Sequence, residues 1–281
     1  MQNNLLSPFH ISNLYSYMNY VYGKEKRIAR DYFKFAELQK VIRSKLLTTY
    51  FQPIFDLSTS SIIGYEALNR PPFSKQFPNT ESFYDYIGQT NQAFRFDLYC
   101  RNTAFERFFD NRQKNPSLDE KLLFINIHPQ VLLDSDYRSG ETLQLLNKYE
   151  LSPNQIVFEL TEKKAVKDYV LFEKMLSHYR EQGFRIAVDD AGSGYNSLKS
   201  VVQLKPEFIK LDKSLIHHMD QNADQQKMVS LLLDFANESH TSVIAEGIER
   251  VEDLSILQEK GVHYGQGYLL GKPSETLESI S

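Results

Sequence analysis

The chain has 281 residues, enough for one large domain or two ordinary ones. A formal net charge of −4 argues against a general nucleic-acid-binding surface, so no DNA or RNA polymer is expected as a partner, while a small anionic ligand at one local site stays open. The single cysteine, Cys100, excludes an internal disulfide framework, and without a signal-peptide start or an apolar run of ~18 residues the sequence reads as soluble, cytoplasmic and free of membrane spans.

From Ile28 through Tyr32, Phe35, Leu38, Ile42 and Leu46 the apolar residues recur at three or four, which predicts an amphipathic helix. Residues 1–35 are set apart as an N-terminal helical extension, either packing on the main domain or serving as a dimerisation or signalling helix. Residues 36–281 form the main domain, with no Gly/Ser- or Pro-rich linker marking the boundary. Apolar runs with strand character then follow at 50–57, 62–68, 121–127, 155–160, 185–190, 207–212, 242–248 and 264–270. Helical periodicity lies between most of them, as in YVLFEKMLSHYREQGF and MVSLLLDFANESH. Strands alternating with helices predict a largely parallel sheet, and eight of them predict closure into a β/α barrel. One connection is too short for that pattern, because only Ser58, Thr59, Ser60 and Ser61 separate the first two runs. A parallel crossover needs a dozen or more residues, so these two strands should form an antiparallel hairpin. The expected fold is therefore α/β, a modified TIM-type (β/α)8 barrel with an antiparallel first strand.

Nearly every predicted parallel strand ends in an oxygen-bearing side chain: Glu66, Asn126, Glu159, the adjacent pair Asp189 and Asp190, and Glu246. In a β/α barrel these ends converge on one mouth, where active sites lie. Five carboxylates in one place repel unless cations sit between them, and an all-oxygen set suits Mg²⁺ or Mn²⁺. Read by itself, Asp189-Asp190 is also compatible with a strand ending in a turn. None of the seven histidines has metal-ligand spacing with another; His217 and His218 read as a solvated loop, and His128 stays outside the ligand set. Lys210 shares a strand face with Asp212, so it either pairs with that aspartate or orients a water or a phosphate. Glu162 and Glu249 each follow a proposed ligand by three residues, as loop or ligand support or as first-turn helix acids. Gly192 and Gly194 match no phosphate-cradle pattern.

In order along residues 36–273 stand YFQPI, GYEALNR, FINIHP, FELTE, VDDAGSGYNSL, IKLD, AEGIE and YGQGYLLGKP. This series resembles the EAL-domain cyclic-di-GMP phosphodiesterases. The resemblance implies hydrolysis of cyclic di-GMP to linear pGpG on a barrel with an inverted first strand, using two Mg²⁺ or Mn²⁺ ions. It implies Glu66, Asn126, Glu159, Asp189, Asp190 and Glu246 as metal ligands, direct or through water. Lys210 matches the residue that positions, or helps deprotonate, the attacking water, and Gln266 a glutamine near the metals and nucleophile. Gln52 and Arg70 match substrate contacts, and Asp212 is grouped with them. Glu162 matches a glutamate holding the loop after Asp190, near the family's dimer contact, so a homodimer is implied; Glu249 is supportive. Two departures stand out. Pro71 and Pro72 follow Arg70 where an aromatic residue is common, and Ala191 replaces the usual Phe of Asp-Asp-Phe-Gly. Neither removes a ligand. The competing readings are a catalytically inactive receptor for the same nucleotide and an interaction scaffold on the same fold.

Overall fold

Asp56 organises the first turn. Its carboxylate accepts from the Ser58 and Thr59 amides at 2.8 and 2.9 Å, and Ser60 adopts a left-handed φ of 57°. This short polar turn reverses the chain. In this computed structural model, which describes residues 8–127, 131, 140–161, 169–191 and 202–277, β1 (Thr48–Asp56) and β2 (Ile62–Arg70) pair antiparallel from Thr48↔Arg70 to Phe55↔Ile62. From β2 onward the neighbours are parallel: β3 (Leu122–Asn126), β4 (Ile156–Thr161), β5 (Arg185–Ala191), β6 (Phe208–Leu211), β7 (Ser242–Ala245) and β8 (Tyr264–Gly265). β8 closes on β1 antiparallel, giving a closed eight-stranded barrel with an inverted first strand, as the hairpin argument required.

The last two strands are shorter than their apolar runs suggested. A Cβ on Gly267 would lie 2.1 Å from the Ile248 carbonyl oxygen, so glycine alone lets the two backbones meet there. The segments exchange Ile248 N–H to Gln266 O and Leu269 N–H to Ile248 O, each at 3.1 Å, and the chain curls out of the sheet.

Ile54, Phe124, Val157, Ala187, Phe208 and Ile244 fill the barrel interior, with Phe124 and Phe208 edge to face at 5.2 Å. Outside, α3 (Ala93–Lys114), α4 (Glu141–Lys148), α5 (Tyr169–Glu181), α6 (Lys213–Ile216), α7 (Ala223–Glu238) and α8 (Val251–Glu259) connect the strands. Their apolar faces, such as Phe105 and Phe108 of α3 and Leu232 and Leu233 of α7, are buried. Arg101 of α3 is buried with Asp97 as an ion pair and donates to Thr142 of α4 and Tyr179 of α5, so one guanidinium ties three helices.

Among the described residues, 8–46 and 71–86 form a second compact unit. Its long helix α1 (Pro8–Arg43) runs unbroken through position 35 and ends before Leu46. Leu38 and Val41 are its fully buried pair, whereas Ile28 and Tyr32 of the expected apolar face stand in solvent. Within this unit α2 (Thr80–Ile87) brings Tyr86 to α1, where its hydroxyl donates to the Asp31 carboxylate at 3.0 Å. Burial, then this bond, pushes the Tyr86 phenol up to about 12.

Candidate active site at the barrel mouth

Alternate residues of a strand share a face, so the residue two places beyond an interior apolar side chain also points into the barrel. Two places beyond Phe124, Val157, Ala187, Phe208, Ile244 and Tyr264 stand Asn126, Glu159, Asp189, Lys210, Glu246 and Gln266. β1 runs the other way, so its member lies two places before Ile54: it is Gln52, which pairs in register with Glu66 of β2. The apolar plug is thus capped by one polar layer drawn from all eight strands. The whole of the proposed metal-ligand set converges here.

Lys210 is the hub. Its Nζ, fully buried, lies 2.7 Å from Glu246, 2.8 Å from Glu159, 3.2 Å from Glu66 and 3.7 Å from Asp189. Asn126 Nδ2 donates at 3.1 Å to both Glu66 and Glu159. Gln266 Nε2 donates to Glu66 at 2.8 Å and to Gln52 Oε1 at 3.1 Å, and Gln52 in turn donates to the Gly271 carbonyl at 3.1 Å. Both Gln266 donors are therefore directed at acceptors. Its Oε1 is buried and has no hydrogen-bond partner among the described residues.

The adjacent aspartates are explained by a bulge. Val188 pairs with Ile209 and Ala191 with Leu211, so three steps on β5 face two on β6. Asp190 absorbs the extra residue in a left-handed conformation at φ 60°, and its amide donates to Asp189 Oδ1 at 2.9 Å. In a regular strand the two side chains would point to opposite faces. The bulge re-aims one of them, and oxygens of Asp189, Asp190 and Glu246 come within 4.8 Å of one another.

Five carboxylates around one ammonium leave an excess of four negative charges, and the acids respond unequally. Burial, reinforced by the neighbouring Glu66 carboxylate, raises Glu159 well above the usual range. Burial raises Asp189, and it pushes Glu246 up to about 8 despite Lys210. For Glu66 burial also opposes ionisation, but the Lys210 charge and the bonds from Gln266, Lys210 and Asn126 prevail and hold it low. Burial works against the Lys210 ammonium, yet the four carboxylates raise it well above its ordinary value.

These shifts predict how stability varies with pH. Because Glu246 binds its proton more tightly folded than unfolded, the stability it contributes is present below about 4.5 and lost as pH rises toward about 8. Glu159 and Asp189 act with the same sign. Thermal melts with chelator present should show this barrel losing stability across that window; a flat or rising profile would contradict the assignment.

A family model described as the EAL domain matches residues 36–273, most of the chain and all eight strands of this barrel. The chain belongs to the EAL domain family. The probable cyclic di-GMP phosphodiesterase PdeB of Escherichia coli (strain K12) is 30% identical over 242 residues, covering 84% of this chain and 44% of that protein. The chain spans less than half the length of the curated relatives it matches. The structure of EAL enzyme Bd1971 with cAMP and cyclic di-GMP bound superimposes with a TM-score of 0.78 at 26% identity, covering 92% of this chain and 69% of that one. The Klebsiella pneumoniae BlrP1 complex with manganese and cyclic di-GMP gives a TM-score of 0.73 at 26% identity, covering 83% and 57%.

Other expected residues of this EAL domain fall outside the polar layer. Asp212 does not pair with Lys210: β6 ends at Leu211, and the Asp212 carboxylate caps α6 by accepting from Ser214 N at 3.0 Å. Glu249 pairs with Lys213 at 2.6 Å on the surface. Arg70 stands exposed at the end of β2 with no ion pair among the described residues. His217 and His218 lie in the turn after α6, where His218 meets Arg250 at 2.9 Å. Ala191 is fully buried and pairs with Leu211, inside the second half of the outer core. Glu162, His128, Gly192 and Gly194 lie outside the described residues. Among the described residues no helix is long and apolar enough to cross a membrane.

Proposed function

We propose that this EAL domain, residues 36–281, hydrolyses one phosphodiester of cyclic di-GMP to give linear pGpG, with two Mg²⁺ or Mn²⁺ ions at the barrel mouth. The observation that carries the reading is the buried ammonium of Lys210 amid four carboxylates, with Asp190 adding a fifth beside Asp189. The excess negative charge of this layer equals the charge of two divalent cations. Every donor is oxygen, which fits hard cations, and Gln266 Oε1 is a buried acceptor in need of a partner. Glu66, Asn126, Glu159, Asp189, Asp190 and Glu246 would hold the ions. When bound, such ions polarise the phosphate and make water a stronger nucleophile. A relative that is a probable cyclic di-GMP phosphodiesterase, and similar EAL structures with cyclic di-GMP bound, support that nucleotide as substrate.

The side chains do the rest. Lys210 holds its positive charge where the transition state spreads negative charge, and its N–H groups orient the attacking water. Gln266 Oε1 accepts a hydrogen bond from that water, and its amide fixes the Glu66 carboxylate. The exposed Arg70 guanidinium meets a phosphate oxygen as bidentate donor, with Gln52 and Asp212 at the nucleotide. Glu162 and Glu249 support the flanking loops. Water adds to phosphorus, the bond from phosphorus to the ribose oxygen breaks, and the proton passes to that oxygen.

Incubation of the purified protein with cyclic di-GMP and Mn²⁺, followed by product chromatography, should yield pGpG, and chelator should stop it. Nucleotide that binds but stays intact at saturating Mn²⁺ would replace this reading with that of a receptor.

A further inference from the structure

Glu246 stands at the head of the short crossing from β7 to α8. Its amide donates to the Leu211 carbonyl at 3.1 Å, and the buried Ile248 is bonded on both sides, through its N–H to Gln266 and through its carbonyl to Leu269. Gly247 between them is the soft point, at a left-handed φ of 65° that glycine enters and leaves at little cost. Lys213, the first residue of α6, lies directly over it. A Cβ on Gly247 would stand 2.6 Å from Lys213 Cγ, 2.8 Å from its Cβ and 2.9 Å from its Cδ, so the lysine stem runs flat across the bare glycine. The ammonium then reaches past it to Glu249 at 2.6 Å. A half-exposed ion pair of this kind adds little to stability, and a surface lysine ordinarily keeps its stem mobile.

We infer that Lys213 is a positioning residue for Glu246: its stem and ammonium together clamp residues 246–249, so that the Glu246 carboxylate stays beside Asp189 and Asp190. This rests on the reading of the polar layer as a site for divalent cations. Of the four acids around Lys210, Glu246 is the most exposed, at 22% against 0–13% for the others, so its aim depends most on the backbone that carries it. The lysine has a firm base, because Asp212 just before it caps α6 through Ser214 N. The clamp therefore joins the stretch after β6 to the stretch after β7 across the rim of the mouth. Its sign separates it from a simple charge effect. Removing a bystander ammonium would leave cation binding unchanged or tighter, since like charges repel, whereas removing a clamp weakens it.

Mn²⁺ binding to the full chain, read from the electron paramagnetic resonance of free Mn²⁺, tests this without any turnover. Lys213→Ala should bind Mn²⁺ about tenfold more weakly, and at saturating Mn²⁺ it should lower kcat for cyclic di-GMP while KM changes by less than about twofold. Lys213→Arg, which keeps a long stem and a charged head, should bring both measures back to within about threefold of the parent. The thermal transition in chelator should stay where it is in both variants, since the lysine is half exposed. Mn²⁺ affinity that is unchanged or higher in Lys213→Ala overturns the inference. So does a loss that Lys213→Arg fails to restore, a rise in KM at constant kcat, or a lowered thermal transition, which would make the lysine a support of the fold instead. A parent protein that binds Mn²⁺ yet leaves cyclic di-GMP intact would overturn the hydrolase reading alone, and the comparison of Mn²⁺ affinities would still decide on Lys213.

Discussion

Lys210→Ala is expected to lower turnover of cyclic di-GMP by ~10²-fold or more, a loss of about 2.7 kcal/mol of transition-state stabilisation. It should also destabilise the metal-free protein. Removing one partner of a buried ionic cluster leaves the others uncompensated, at a cost of about 3 kcal/mol or more. Here four carboxylates would be left facing one another, so the loss should be largest above pH 8 and shrink in acid as they take up protons. Lys210→Met, which keeps most of the side-chain volume, separates the charge from the packing. Both variants should lose turnover and show the pH-dependent destabilisation, measured by product formation with Mn²⁺ and by chemical denaturation with chelator. Turnover within about threefold of the parent would remove Lys210 from the reaction, since a factor that small is under 1 kcal/mol.

How far could this cluster be seen without coordinates? The strand ends were legible because each polar residue stands two places beyond an apolar one, as in FIN, VFE, AVD and IAE. That spacing alone puts both residues on one face, and eight strands closing into a barrel bring those faces together. The inverted first strand was legible too, from a connection of only four residues. What could not be read was anything that depends on a partner strand. The bulge at Asp190 exists only as a mismatch between β5 and β6, and VDDA carries no local mark of it. Lys210 and Asp212 obey the same alternation rule that worked elsewhere, yet β6 stops between them and Asp212 turns to cap a helix. The overlong readings of β7 and β8 failed for a similar reason. Their apolar runs continue, but the glycine at 267 lets the backbone dock on Ile248 and leave the sheet. For α1 the three-four spacing was legible, but spacing alone does not say which apolar positions are covered: Leu38 and Val41 are buried, whereas Ile28 and Tyr32 stand in solvent.

Glu66 and Glu246 should part company when each is neutralised, although both are proposed to hold metal. Glu66 is the well-partnered acid: Asn126, Gln266 and Lys210 all approach it, and it is held ionised. Glu66→Ala would take from the buried Gln266 amide the acceptor at 2.8 Å that it now meets, at about 1–3 kcal/mol in the metal-free protein. Glu246 is held against its preference, pushed up to about 8 chiefly by burial, so Glu246→Gln relieves repulsion and should leave metal-free stability at alkaline pH unchanged or higher. Turnover should fall by ~10²-fold or more in both, because each removes a charged oxygen from the site that must bind the ions. Melts in chelator at alkaline pH, set beside rates at saturating Mn²⁺, read the two effects separately. Equal destabilisation by both substitutions would mean that the acids share one environment, and the division of labour inferred from their partners would be wrong. Retained turnover in Glu66→Ala would be more damaging, since this carboxylate touches three other members of the polar layer and no rearrangement among them could replace its charge.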